Sequence, residues 1–597
     1  MDAINDRIYA VRTEMAAADL DALLIPRADE YLGEYVPEHN ERLRWISGFT
    51  GSAGMAIVLK EKAAIFVDGR YTLQVQQQVP NNLFGFHHLI EEPPLKWLGS
   101  ALAPGARVGF DSRLHPYSFY ESANALLAPL NVTLVEIDSN PIDNQWTDRP
   151  FPEPELAMLL GEDFTGEHSS SKRERIGTMI EDSGSDVALI TQLDSIAWLL
   201  NIRGSDVPHL PVLLGFAILS KSGAMTFFTD ARKIPNDLHQ HVGEGVTIQD
   251  ESKITEALRA LGNGSAKVLV DEATTNAFSV LRCIEYGCEI IIGKDPVLVP
   301  KAQKNATELT GMRNCHIRDG SAVSRFLAWI ESEVSAGFLH DEGFLADKLE
   351  FFRRKLPYMH DLSFDTISAA GANGALCHYH HTNGTPAELE MNSLYLVDSG
   401  GQYSDGTTDI TRTIAIGNPS DEHRRMFTLV LKGHIALASC VFPTGTTGVQ
   451  LDVLARQFLW REGLDYDHGT GHGVGSFLSV HEGPTRISKA PAQSAELLPG
   501  MVLSNEPGYY KEDCYGIRCE NLMIVVTRPD SMLAFETITF APFDLRLVEV
   551  DLMTQAEIKW LSQYHIDVRE KLSPLLKGDD LRWLEHSTRV IQEDSDQ

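Results

Sequence analysis

Apolar residues in the first half of the chain fall into short runs separated by helix-spaced stretches. Ala22–Ile25 and Val187–Ile190 are uninterrupted apolar runs, each preceded by a helix-like segment. Two further strand-like runs follow each of them. They are Met55–Leu59 with Ala63–Val67, and Leu213–Leu219 with Ala224–Phe228. Short apolar runs bounded by turn residues read as strands, and their alternation with helical patterns predicts α/β domains. The pattern also repeats. Trp45-Ile-Ser-Gly-Phe-Thr-Gly51-Ser52 resembles Trp198-Leu-Leu-Asn-Ile-Arg-Gly204-Ser205, and Phe66-Val-Asp68-Gly-Arg70 resembles Phe228-Thr-Asp230-Ala-Arg232. The offsets, 153 and 162 residues, are too long for a solenoid and indicate a duplicated domain carrying an insertion.

Between the copies, Asn140–Pro154 holds four prolines in fifteen residues, which predicts a stiff, extended linker. Val297-Leu-Val-Pro300-Lys-Ala-Gln-Lys304 reads as the next boundary. The expected domains are therefore 1–145, 146–303 and 304–597, with a C-terminal extension from about 540. The third opens with a long amphipathic pattern, Ala306–Val334, and then becomes rich in Gly, His and acidic residues.

Composition narrows the function. Among 597 residues, Lys and Arg total 51 against 83 Asp and Glu, a net charge of −32. Such a chain repels phosphate backbones and anionic lipid, so neither nucleic acid nor a membrane is expected as partner. No apolar run reaches the ~18 residues of a membrane span. Met1-Asp-Ala-Ile-Asn-Asp-Arg7 lacks a basic then apolar leader, so a soluble cytoplasmic protein is expected. Seven cysteines, with none before Cys283, do not make a disulfide framework and fit a reducing compartment. Cys283 and Cys288 lack a second pair at zinc-site spacing and read as ordinary thiols.

The chemistry concentrates in Asp398, Asp409, His472, Glu506 and Glu520. Asp398 follows the apolar run Leu394–Val397, and Asp409 precedes the β-branched run Ile410–Ile416. A hairpin turning at Tyr403–Ser404 would set these two aspartates opposite each other, which is destabilising unless a cation lies between them. Glu506 closes the apolar run beginning at Met501. Glu520 falls inside Gly516–Val526, read as one strand that puts Arg518 on the same face. His472 lies in His468-Gly-Thr-Gly-His472-Gly-Val-Gly475, where glycines allow close approach of backbone and ring. This run matches neither phosphate-binding glycine motif. Singly, each residue has an ordinary reading as a turn, solvated or structural side chain. Jointly, four acids around one imidazole carry a charge of −4, which two divalent cations neutralise. Oxygen-rich ligation with one nitrogen suits Mn²⁺, with Fe²⁺, Co²⁺ or Zn²⁺ as alternatives.

The order Asp-x10-Asp-x62-His-x33-Glu-x13-Glu resembles the dinuclear site of the Xaa-Pro aminopeptidases (aminopeptidase P), in the long three-domain cytosolic form of the pita-bread metallopeptidases. Gly371-Ala-Asn-Gly374-Ala-Leu-Cys-His378, Asn505-Glu506-Pro-Gly-Tyr-Tyr510 and Gly516-Ile-Arg518-Cys-Glu520-Asn extend the likeness, which covers nearly the whole chain. The resemblance implies two creatinase-like α/β domains followed by a pita-bread catalytic domain. It implies removal of the first residue from peptides with proline second, through a hydroxide shared by two divalent metals, most simply Mn²⁺. Asp398 would hold one metal, His472 and Glu506 the other, and Asp409 and Glu520 would bridge. Glu506 would also handle the nucleophile's proton. By the same likeness His378, His468 and His481 would orient substrate and stabilise charge, Arg518 would orient ligands, and Tyr510 would line the site. A homodimer is expected on the same ground. His380 and His381 read as flanking residues.

Four alternatives compete. A prolidase, cleaving X-Pro dipeptides, would carry one N-terminal domain rather than two, and a methionine aminopeptidase none. A catalytically dead pita-bread binding or chaperone protein would lack part of the ligand set. It would also carry a long acidic tail, where this chain has only Glu593-Asp-Ser-Asp-Gln597. Creatine hydrolysis, which uses the fold without metals, is disfavoured by the five ligands.

Overall fold

A computed structural model describes residues 2–490 and 495–591; the acidic end 593–597 lies outside them. The chain forms two compact units. The first comprises Met1–Leu160, Glu167–Pro208 and Val212–Val297. The second comprises Gly161–Gly166, His209–Pro211 and Leu298–Gln597.

The first unit contains the duplication as two six-stranded sheets of identical order. One runs Gly85–His88, Ala63–Val67, Met55–Leu59, Ala22–Pro26, Arg107–Phe110, Thr133–Glu136. The other runs Val246–Gln249, Met225–Phe228, Phe216–Ser220, Val187–Ile190, Lys267–Val270, Glu289–Ile292. In each, the third strand is antiparallel to both neighbours and the remaining pairs are parallel. The continuous apolar runs follow from this. In the first sheet Leu23, Ile25, Val58 and Ile65 enter one core with Ile8 and Val11 of the helix Asp2–Ala17. Their neighbours Leu24, Ile57, Leu59 and Phe66 enter a second core on the opposite face with Leu98 and Leu127. A sheet covered on both faces needs apolar residues at both parities.

Two expectations change here. The strand expected at Leu213–Leu219 begins at Phe216. The proline-rich linker is not extended throughout. Pro141–Gln145 forms a helical turn, capped by the Asn140 side chain accepting from the Ile142 N–H at 3.0 Å. Proline after an asparagine cap starts a helix because its missing N–H would have had no partner there.

The second unit opens with the helix Ala306–Ser335, started by a capping box between Asn305 and Glu308. A six-stranded antiparallel sheet includes, in spatial order, Asn521–Thr527, Val502–Asn505, Gly471–Gly473 and Glu482–Ile487. A three-stranded sheet pairs Ile367–Ala370, Ser393–Ser399 and Ile410–Ile416. Asp398 pairs with Thr411, so it does not stand opposite Asp409 as expected. The turn falls on Ser404-Asp405, because Tyr403 pairs with Gly406 in a small separate hairpin, and this moves the register by two residues. The C-terminal helices Gln555–Leu572 and Gly578–Ser587 bury Leu561, Val568, Leu572 and Leu584 in a core shared with Phe427, Val430 and Ile517. No described helix is long and apolar enough to cross a membrane.

His209 adopts a left-handed backbone conformation, φ +64°. Its Nε2 bonds Asp365 at 3.0 Å, while Nδ1 lies 3.2 Å from Asp361, off hydrogen-bond alignment. Burial disfavours its charge, but the two carboxylates outweigh that and raise its pKa to about 9. The raised folded-state value means the stabilisation is complete below the unfolded pKa near 6.5 and fades as pH rises through 9. His209→Gln should therefore lower the unfolding midpoint in urea at pH 6. By pH 9.5 the wild-type and variant midpoints should converge.

Candidate metal centre

Asp398 lies near the end of the strand Ser393–Ser399, and Asp409 immediately before the strand Ile410–Ile416. His472 is the middle residue of the short strand Gly471–Gly473, and Glu506 directly follows Val502–Asn505. The flanking glycines are sterically required. A Cβ at Gly471 would meet the Ser504 carbonyl oxygen at 2.1 Å, and one at Gly473 the Glu482 carbonyl oxygen at 2.3 Å. Glu520 does not lie within a strand. Tyr515–Arg518 pairs with Gly508–Lys511, whereas Asn521–Thr527 belongs to the six-stranded sheet. The expected single strand 516–526 is thus broken at Cys519–Glu520. Arg518 and Glu520 nevertheless still point the same way, as expected, because both side chains bond Thr411 Oγ1 across this junction between two sheets.

The five donors converge. Ligand atoms of Asp409, His472 and Glu520 all lie within 4.8 Å of one another. His472 Nε2 is 3.5 Å from Asp409 Oδ2 and 3.4 Å from Glu506 Oε1. Its Nδ1 lies 3.0 Å from the Gly473 carbonyl, which takes the ring N–H and turns the Nε2 lone pair toward the acids. Three of the four carboxylates accept a hydrogen bond from a neighbour. Arg518 Nη2 donates to Asp398 Oδ2 at 2.6 Å, Thr411 Oγ1 to Glu520 Oε2 at 2.6 Å, and Ser504 Oγ to Glu506 Oε1 at 3.1 Å.

This is a stressed arrangement for protein atoms alone. Asp409 is 4% exposed and Glu520 1%. Burial, and then the neighbouring acids, push the carboxyl pKa values of both far above the usual range. Burial also raises Glu506 to about 7, against the opposing pull of Arg518. Asp398 Oδ1 is buried with no hydrogen-bond partner among the described residues. Four clustered acids with one free buried oxygen and an aimed imidazole fit divalent cations.

Arg518, Tyr510, His468 and His481, also singled out from the sequence, border the same centre. Arg518 Nη1 donates to the Tyr510 hydroxyl at 2.6 Å, and that hydroxyl lies 2.8 Å from His468 Nε2. Burial and then Arg518 lower the His468 pKa to about 3. The neutral ring gives its Nδ1–H to the Gly469 carbonyl at 2.7 Å and accepts the Tyr510 O–H at Nε2. The His481 ring meets His472 edge-to-face, with centroids 4.4 Å apart. His378 is half-buried in the loop after the turn Gly371–Ala375, and the adjoining Cys377 acts electrostatically on Tyr510.

Three supporting residues escaped the sequence reading. Thr411 shares the Asp409 face by strand alternation, which was the available signal, and it also accepts from Arg518 Nε at 3.1 Å. Ser504 supports both His472 N–H and Glu506, and nothing local marks it. Arg412 points the other way from Thr411. It donates to the Glu520 carbonyl at 2.6 Å, the Ala541 carbonyl at 2.7 Å and the Tyr564 hydroxyl at 2.9 Å. It thereby ties the Glu520 junction to the C-terminal helices.

An acid-rich, imidazole-containing cradle of this kind belongs to metal-dependent hydrolases. Residues 310–528 match the model of metallopeptidase family M24, and 531–591 that of the C-terminal region of peptidase M24. Residues 7–143 and 148–308 match two models of the creatinase/prolidase N-terminal domain. Aminopeptidase P2 of Arabidopsis thaliana is 39% identical over 98% of this chain and 89% of its own length. A probable Xaa-Pro aminopeptidase P of Laccaria bicolor is likewise 39% identical, over 97% of this chain and 92% of its own. Among solved structures, the cytosolic X-prolyl aminopeptidase of Caenorhabditis elegans, described as having a di-nuclear active site, aligns with a TM-score of 0.93 and 34% identity. That alignment spans 98% of this chain and 100% of the other. A Bacillus anthracis Xaa-Pro dipeptidase gives 0.50 at 27% identity, covering 63% of this chain and 99% of its own. The chain belongs to the aminopeptidase P family of M24 metallopeptidases.

The raised acids set a pH-dependent expectation. Their folded pKa values exceed the unfolded ones, so the metal-free protein loses stability as pH rises, through about 7 for Glu506. Divalent cations remove that penalty and compete with protons for the same oxygens. The rise in melting temperature on adding Mn²⁺ to chelator-stripped protein should be several degrees larger at pH 7.5 than at pH 5.5. An equal rise at both values would place cation binding elsewhere.

Proposed function

We propose that this protein removes the N-terminal residue from peptides whose second residue is proline, using two divalent metal ions. The convergence of Asp409, His472 and Glu520 within 4.8 Å, with Asp398 and Glu506 beside them, is the observation that carries this reading. The likeness to the C. elegans X-prolyl aminopeptidase over the full chain supports it. In this reading Asp398, Asp409, His472, Glu506 and Glu520 would hold the two ions, with Asp398 serving one and His472 and Glu506 the other. Mn²⁺ is the preferred ion, because oxygen donors dominate the set. Two such ions would supply a water acidified to near neutral pH and would polarise the scissile carbonyl.

The chain's own residues do the rest. Arg518 holds Asp398 by one oxygen and leaves Oδ1 to face inward. Glu506, 3.4 Å from His472 Nε2 and bonded by Ser504 through Oε1, is placed to take a proton from the nucleophile. The Arg518–Tyr510–His468 chain fixes a phenol at the rim, with a neutral imidazole as its acceptor. His378 and His481 border the substrate path and offer hydrogen bonds to a developing oxyanion. An X-Pro bond offers no N–H on its leaving side and presents a ring of fixed φ. A site that reads it must accept that ring and recognise the free amine at the other end, for which carboxylates beside the metal pair are suited.

The prolidase alternative shares this chemistry. It is disfavoured because the B. anthracis dipeptidase matches 63% of this chain, against 98% for the C. elegans X-prolyl aminopeptidase. A dead binding protein would have no need of five converging donors. We read the protein as cytosolic and homodimeric on its family resemblance.

Chelator-stripped protein reloaded separately with Mn²⁺, Zn²⁺ or Co²⁺ should release the first residue from X-Pro-Pro tripeptides, read by mass spectrometry. The X-Pro dipeptide and X-Ala controls should be poor substrates. Asp409→Asn should lose bound metal and reduce kcat/KM at least a thousandfold. Cleavage of the dipeptide alone would instead make the enzyme a prolidase, and cleavage of X-Ala at an equal rate would remove proline specificity.

A further inference from the structure

One buried cluster beside the centre has no role in the reaction described above. Glu482 begins the strand Glu482–Ile487, directly after His481. Lys301 Nζ donates to its Oε1 at 2.9 Å, and Lys304 Nζ holds its Oε2. The three side chains are 1–2% exposed. Desolvating three charges is costly, and removing one partner from such a group leaves an uncompensated buried charge. A surface loop has no need of such an arrangement, and the adjoining backbone suggests its use. In the pairing with Gly471–Gly473, His472 stands opposite Arg486, but Gly473 stands opposite Glu482, where a regular ladder would put Thr485. The ladder therefore bulges over residues 483–485 and resumes at the Gly473–Glu482 pair, which sets His481 beside His472. Ser479 Oγ bonds the His481 carbonyl at 2.8 Å, which steadies the main chain but not its position along the strand. The Glu482 carboxylate, clamped by two ammonium groups, holds the side-chain end of the pair at which the ladder resumes. It reaches back to Gly475, where a Cβ would come within 3.2 Å of Oε1.

We propose that Lys301, Lys304 and Glu482 are positioning residues that fix the His481 imidazole against the metal ligand His472. The proposal rests on the reading of His481 as an active-site histidine. It assigns the two lysines to catalytic geometry, although they lie near the start of the catalytic unit, more than 170 residues before the ring they place.

A double-mutant cycle tests the coupling. Glu482→Gln is nearly isosteric and retains hydrogen-bonding atoms; Lys304→Met is the more disruptive variant. Each should lower kcat on an X-Pro-Pro tripeptide about tenfold or more, the usual cost of losing an outer-shell partner, with KM within threefold and metal content unchanged. In a His481→Ala background neither should cause a further loss. An equal fold-loss in that background would mean the cluster acts on the fold alone and would overturn the proposal. A second readout does not need turnover. In Zn²⁺-loaded protein with ¹³C-labelled histidine, the His481 ring signal is identified by its absence in His481→Ala. That signal should move in Glu482→Gln while the His468 signal stays in place. An unmoved His481 signal overturns the proposal even in an active enzyme. A moved signal in a protein that cleaves no X-Pro peptide would keep the positioning role and reject the proposed function.

Discussion

The second unit is organised around the burial of four carboxylates beside one imidazole. Like charges this close in a water-poor site cannot all ionise without cations nearby. Arg518 is the permanent cation bonded to one of the acids, but it is held by Asp398 and Tyr510 and so cannot neutralise the whole group. The remaining charge makes the site a receptor for metal ions. It also explains why the surrounding residues are hydroxyls and arginines rather than aliphatic side chains. Thr411, Ser504 and Arg518 each fix one carboxylate oxygen and leave others directed inward.

Holding those acids together takes more than local bonds. The donors come from five separate chain segments, and the Glu520 segment is a gap between two sheets. Arg412 closes that gap from behind, bonding the Glu520 carbonyl, the Asn521 side chain and the Tyr564 hydroxyl of the C-terminal helix. The C-terminal extension is therefore a structural support for a metal ligand rather than an appendage. The helix Asp421–Ala438 contributes in the same way. His434, buried and held neutral, bonds the carbonyls of Asn505 and Cys519, each the residue just before a ligand glutamate.

The first unit follows a different logic. Its two sheets repeat one order and one set of directions because the same short apolar runs recur with the same connections. Burial on both faces fixes those runs as continuous rather than alternating. The proline-rich joint between the copies contains a capped helical turn, since Asn140 provides the cap that a following proline can use.

Much of this was legible in the chain. Apolar runs gave six of the twelve strands of the duplicated sheets, and helical spacing gave the helix Ala306–Ser335 to within a residue. Asp398, Asp409 and Glu506 stood out at the ends of apolar runs, Glu520 inside one and His472 among glycines, and their joint charge pointed to divalent metal. These features are local or additive, so one sequence can carry them. Register and junctions were not legible in the same way. The pairing of Asp398 with Thr411 depended on a two-residue turn inside a second hairpin. The break at Cys519–Glu520 arose because two sheets compete for neighbouring residues. Ser504, Arg412 and the two lysines on Glu482 act across 2 to 181 residues of sequence, through contacts that no local pattern records. Sequence alone determined which groups can ligate and which segments form strands. Only the tertiary structure decided which atoms of those groups face inward, because that depends on partners brought close by packing.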